Sequence, residues 1–273
     1  DTNGLLNTGC GLDAGGAAVY LFDTAARGGA PLDTVEFGLQ VPDLTIGRVP
    51  NGTGGWTLNQ PTRGGANSST LLGSALVLKI NEWMANPASG DDWFEIYNPT
   101  NLPVEMSRLY LTDNLTDWTK SPIPPLSFIG YGTNAWRVFW ADNKPELGAN
   151  HVGFKMAATG EAIGLYAPSG LQLDAVAFGP QSVGVSQGRL PDGGVAITLF
   201  PTTASPGEAN HKPIGSVVIS EVLSASPMGG PLEDAIELQN LSGLSADIGG
   251  WYLSDSQSNL KKYRIPDGTR IPP

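Results

Sequence analysis

Several charged residues keep step with the apolar residues of this chain, and their types and spacing are what could do chemistry. Glu82 lies two residues from Ile80, and Glu221 two residues from Ile219. Asp174 alternates with Val176 and Phe178, as Asp33 does with Val35 and Phe37. Arg48 is in phase with Leu44 and Ile46, and Arg189 with Val185. In an extended strand, residues two apart point to one face. Each of these charges is therefore expected on an apolar face, where it is costly unless paired. The expected arrangement is an internal ion pair, with Glu82 or Asp174 on Arg189. The same carboxylates, joined by Asp91 and Asp92, would be hard oxygen ligands suited to calcium. No spaced calcium-loop motif accompanies them, so no resident cofactor is expected.

Catalysis has little to work with. Paired carboxylates could hydrolyse a glycoside, but acids that recur in every unit read as structural. Ser186-Gln187-Gly188 is not a nucleophile elbow, and His151 and His211 are the only histidines. The Gly-rich stretch Gly28–Asp33 lacks the lysine and the following helix of a phosphate loop. No enzyme is expected. Trp83 and Trp93 fall on strand faces opposite Ile80 and Ile96, while Trp118, Trp136 and Trp140 cluster in mid-chain. If exposed, Trp93, Trp136 and Trp140 could stack on sugar rings; otherwise they are core or contact residues.

The elements that position these residues repeat. Leu32–Gly38 matches Leu173–Gly179, Gly47-Arg48 matches Gly188-Arg189, and Ala66-Asn67 matches Ala209-Asn210. A different stretch repeats further on. Ile80-Asn81-Glu82 matches Ile219-Ser220-Glu221, Asp92–Asn98 matches Asp234–Asn240, and Leu109–Asp113 matches Trp251–Asp255. The chain thus divides into a closing half unit at 1–67, a complete unit at 75–211 and an opening half unit at 215–273. The frame reads as a stretch of a longer array. A half sandwich leaves an open edge, so the two halves are expected to complement each other, within one chain or between neighbours, bringing Glu221 to Arg48.

Short segments alternate with period two between turn signals, as in Leu76, Leu78 and Ile80. With 36 glycines and 22 prolines, long helices are disfavoured. An all-β fold follows, an antiparallel β-sandwich with a barrel as the alternative. The net charge of −11, from 15 basic and 26 acidic residues, argues against direct nucleic-acid binding. Lys261, Lys262, Arg264 and Arg270 form the only basic cluster. Cys10 stands alone, so neither an intrachain disulfide nor a thiolate zinc cluster is expected. The longest apolar stretch, Leu71–Ile80, is too short and interrupted for a membrane span.

The ordered pieces have a counterpart. The opening Leu76–Met106, with its Ile-Asn-Glu and Glu-Ile-Tyr-Asn elements, then Leu109–Asp113 and the closing Gly160–Asn210, resemble the lamin-tail domain. That is the immunoglobulin-like domain of nuclear lamins, found also in many bacterial surface and secreted proteins. The resemblance implies an immunoglobulin-like sandwich in tandem copies, without catalytic activity. It implies a spacer, adhesion or interaction role in a larger extracellular or cell-surface protein, with protein partners or neighbouring domains of the same chain. The alternative is an accessory module of an extracellular hydrolase that binds carbohydrate or, with calcium, another ligand; a polysaccharide partner belongs to that reading.

Overall fold

The computed structural model describes residues 9–224 and 234–273. The chain forms two compact units, Asp1–His211 and Lys212–Pro273. Among the described residues the only helices are single turns of 3-10 type. The remaining regular structure is short strands joined by turns and irregular segments, in keeping with the glycine and proline content.

The first segment holds β1 (Ala17–Phe22), β2 (Pro31–Phe37), β3 (Thr45–Val49), β4 (Gly55–Gln60) and β5 (Ser68–Ser69). The central segment begins with β6 (Lys79–Met84), β7 (Asp92–Tyr97), β8 (Val104–Glu105), β9 (Tyr110–Thr112), β10 (Ser121–Pro122) and β11 (Phe128–Ile129). It closes with β12 (Trp136–Ala141), β13 (Glu161–Tyr166), β14 (Gln172–Phe178), β15 (Ser186–Arg189) and β16 (Ile197–Phe200). Its two principal sheets are antiparallel, ordered β12-β7-β6-β15-β16 and β10-β9-β13-β14, with β8-β11 as a separate ribbon. Between them lies one core that includes Ile80, Trp83, Phe94, Ile96, Phe139 and Ile163. Phe94 anchors it, stacked on Phe139 and Phe154 at 5.7 and 6.0 Å. This is an immunoglobulin-like sandwich.

The first segment packs on the central one within the same compact unit. Gly38 N–H donates to the Pro125 carbonyl and Phe128 N–H to that of Leu39, both at 2.8–2.9 Å. A small second core joins Val41 and Leu58 to Phe128. Separately, β1-β2 forms a hairpin whose register copies that of β13-β14. Val19 lies opposite Val35 as Ile163 lies opposite Val176, and both hairpins shift register after the leucine, Leu21 or Leu165.

The second unit contains β17 (Val217–Leu223), β18 (Ala235–Asn240), β19 (Ala246–Asp247), β20 (Tyr252–Leu253), β21 (Tyr263–Arg264) and β22 (Arg270–Ile271). Here β17-β18 copies β6-β7. Ile219 lies opposite Leu238 and Glu221 opposite Glu237, with an irregularity between Ile219 and Glu221 where β6 has one between Ile80 and Glu82. Asn240 closes the following turn through the Leu244 carbonyl and Ser242 N–H, as Asn98 does through Leu102 and Thr100.

Candidate functional site

A register shift decides where the recurring carboxylates go. Ile80 pairs with Ile96, but the next pairs are Glu82 with Glu95 and Trp83 with Phe94. A bulge adds one residue and reverses the alternation. Trp83 therefore enters the core beside Ile80, contrary to strict alternation, and Glu82 turns to the opposite face with Glu95. The same alternation puts Trp93 opposite Phe94, on the Glu95 face. Glu82 is off the apolar face that simple phase assigns it.

The two carboxylates are nonetheless fully buried, because the segment after β16 lies over them. Glu82 accepts from Ser186 Oγ at 2.5 Å, from Ser205 N–H at 3.1 Å and from Ser205 Oγ at 3.2 Å. Glu95 accepts from Asn81 Nδ2 at 3.1 Å and Gly207 N–H at 2.6 Å. Asp192 completes the layer, accepting from Asn81 Nδ2 at 2.9 Å and Asn210 N–H at 3.0 Å. Burial pushes the Glu95 carboxyl up to about 8, against the pull of its two hydrogen bonds. Burial raises Glu82 as well, opposed by its Ser186 and Ser205 contacts. Such groups sit in the protonated form or are neutralised by their neighbours rather than holding a bare charge.

Gly188 is what lets this layer close. A Cβ there would come within 2.6 Å of the Asn81 carbonyl and 2.7 Å of Asn210 Nδ2. Gly188→Ala is expected to cost about 1–3 kcal/mol through overpacking, read as a lowered melting temperature. An unchanged melt would show that the tail gives way freely.

Across the sheet, Arg189 and Asp174 do meet. Arg189 Nη2 lies 3.0 Å from Asp174 Oδ2, its Nε donates to the Ile80 carbonyl at 2.8 Å and its Nη1 to the Gly194 carbonyl at 2.6 Å. Asp174 also accepts from Ile80 N–H at 2.8 Å, with Lys79 Nζ at 3.5 Å. Glu82 takes no part in this pair, because the bulge has turned it to the other face. In the first segment Arg48 pairs with Asp33 at 3.1 Å, and Glu221 is exposed.

The other expected residues do not gather. Asp91 is exposed, while Asp92 accepts from Met156 N–H at 3.1 Å. Among the described residues no group of three or more potential ligands is placed to hold a metal ion. Trp93 is buried, and Trp136 and Trp140 are half-buried. Trp136 stacks on Tyr97 at 5.2 Å. An exposed aromatic platform is not what these three form.

Sequence reasoning passed over Glu95, Asn81 and Asp192, although Glu95 stands in the repeated Glu-Ile-Tyr-Asn stretch and was open to notice. It also missed His151, whose Nδ1 lies 2.8 Å from Asp142 Oδ2. His151 borders a cavity of about 520 Å³ with Phe37, Leu111, Phe139 and Lys120 among its walls. Lys120 is held by Asp113 at 2.5 Å, so its charge is already met. Among the described residues no helix is long and apolar enough to cross a membrane.

Residues 210–273 match the family model described as Lamin Tail Domain. No curated protein and no solved structure matches the chain.

Proposed function

We propose that this chain, whose residues 210–273 match the lamin-tail domain model, is a run of lamin-tail-like units that serves as a spacer and interaction scaffold. Its setting is a larger secreted or cell-surface protein, where it holds neighbouring domains and protein partners in place. One observation carries this reading. The recurring charged side chains of the complete unit are engaged with the protein's own main chain. Glu82 takes Ser205 N–H, Glu95 takes Gly207 N–H, Asp174 takes Ile80 N–H, and Arg189 holds two carbonyls. Groups committed to backbone clamps stabilise a fold and are not available to a substrate. The low share of charged residues, 15%, fits an exported spacer.

Calorimetric unfolding of the full chain, with and without millimolar calcium and with soluble polysaccharides, tests the reading. The expected result is no rise in melting temperature with either addition. A ligand that binds the native state raises it by mass action, so a clear calcium- or sugar-dependent rise would replace the scaffold with a ligand-binding module.

A further inference from the structure

We infer that Asn114 is the attachment site of an N-linked glycan, and that the fold selects it over three other asparagines in the same sequence context. The inference rests on the extracellular setting proposed above, because the sugar donor belongs to an export pathway.

Four Asn-x-Ser/Thr triplets whose middle residue is not proline occur in the chain, at Asn51, Asn67, Asn114 and Asn240. The atom that must react is the side-chain Nδ2, and in three of the four it is already in use. Asn67 Nδ2 donates to the Arg48 carbonyl at 2.9 Å. Asn240 is buried, and its Nδ2 lies 2.6 Å from the Leu244 carbonyl and 3.3 and 3.2 Å from those of Ile271 and Pro272. Asn51 Nδ2 reaches the Gly65 carbonyl at 3.5 Å while its Oδ1 carries Asn67 N–H at 2.7 Å. Asp192 does that same work in the complete unit, holding Asn210 N–H at 3.0 Å. These three side chains clamp backbone, and a bulky sugar on them would cost the bonds they make.

Asn114 differs. It is exposed, on the loop between β9 and β10 of the complete unit. Its Oδ1 accepts from Thr116 N–H at 3.0 Å and from Thr116 Oγ1 at 2.8 Å, so the asparagine and the hydroxyl of the triplet already stand side by side. Its Nδ2 has no partner among the described residues. Asn240 makes the same two bonds with Ser242, so the free and exposed nitrogen is what sets Asn114 apart. The loop beneath it is fixed. Asn114 N–H donates to Thr112 Oγ1 at 3.0 Å, and Asp117 N–H to the Asn114 carbonyl at 2.9 Å. Leu115 packs beside Gly164, where a Cβ would come within 2.8 Å of it.

The donor is an oligosaccharide joined to a lipid through pyrophosphate. Nδ2 attacks the anomeric carbon, a C–N bond forms, and the C–O bond to the pyrophosphate breaks. The lipid pyrophosphate leaves with the electron pair, and one Nδ2 proton passes to a base of the transferase. Nothing is oxidised or reduced. A glycan here adds polar bulk to a chain in which only 15% of the residues are charged.

The test incubates the folded full chain with a lipid-pyrophosphate oligosaccharide and a purified oligosaccharyltransferase. Intact mass and peptide mapping then count and locate the sugars. The expected product carries one glycan, at Asn114. Asn114→Gln and Thr116→Ala, which removes the hydroxyl, are each expected to abolish transfer, and Thr116→Ser to retain it. In a tryptic digest, where no fold holds the amides, the other triplets are expected to accept sugar too. No transfer to the folded chain overturns the inference, as does transfer there to Asn51, Asn67 or Asn240. A digest modified at Asn114 alone would overturn the selection by the fold. A chain retained inside its producing cell, its folded form still an acceptor, would remove the extracellular setting alone. An exported chain whose folded form accepts nothing would remove the site alone.

Discussion

Stability of the first unit is expected to fall as the pH rises from about 4.5 to about 8, the reverse of ordinary acid denaturation. Glu95 has an ordinary value of 4.5 and is pushed to about 8 in the folded protein by burial. The folded state therefore holds this proton more tightly than the unfolded chain does. Its contribution is complete below the unfolded value and is lost as the pH climbs through the folded one. At about 1.4 kcal/mol for each pH unit between the two, the ceiling is roughly 5 kcal/mol. Glu82, raised by burial in the same direction, steepens the slope. Asp142 has the opposite sign. Burial pushes it up, but the hydrogen bonds from His151 and Lys144 N–H outweigh that and hold it low. Its share is lost in acid, so the maximum falls at about pH 4–5. Denaturant melts across the pH range measure this, and Glu95→Gln should flatten the decline above pH 5. A wild type that gains stability between pH 5 and pH 8 would show that Glu95 is ionised in the folded protein.

The route from sequence to this layer shows where reading by alternation holds and where it stops. Asp174, Val176 and Phe178 share a face along an unbroken strand, so the approach of Asp174 to Arg189 is legible from phase and residue type. Glu82 is not, because the extra residue at the bulge after Ile80 reverses every later side chain of β6. One inserted residue leaves no mark in composition, and it exchanges Trp83 and Glu82 between core and polar layer. The cap over Glu82 was equally hidden. Ser205 is far from it in sequence, and nothing local says that a polar tail will fold back over a sheet. By contrast, an antiparallel sandwich was legible from period-two segments between glycine and proline breaks, and its immunoglobulin-like character from the resemblance to the lamin-tail domain. The exposure of Ile219 and Ile236 could not be read from their apolar types, since the equivalent Ile80 and Phe94 are buried. Burial depends on what covers a face, and that is a property of the assembled structure.

That same dependence on cover separates two arginines in equivalent places, and it sets the second large effect. Arg189→Ala is expected to cost about 3–5 kcal/mol, the range for breaking a buried pair from one side. Its side chain and that of Asp174 are each only 10% exposed. Removing the guanidinium orphans the Ile80 and Gly194 carbonyls it holds. It leaves Asp174 with Ile80 N–H at 2.8 Å and the more distant Lys79 ammonium at 3.5 Å. Arg48→Ala removes the equivalent residue of the first segment, where Asp33 is 56% exposed and Arg48 29%. Water screens that pair, and a loss below about 1 kcal/mol is expected from the ion pair itself. Arg48 also lies 4.9 Å over the Trp56 ring, which adds on the order of 0.5–1 kcal/mol at an exposed site. Urea melts of the two variants at dilute concentration compare them directly. Equal losses would mean that Arg48 is buried in solution as Arg189 is, which is what cover of the first segment by an opening half unit would produce. A large loss for Arg189 alone would show that the pair matters only where a second half unit closes over it.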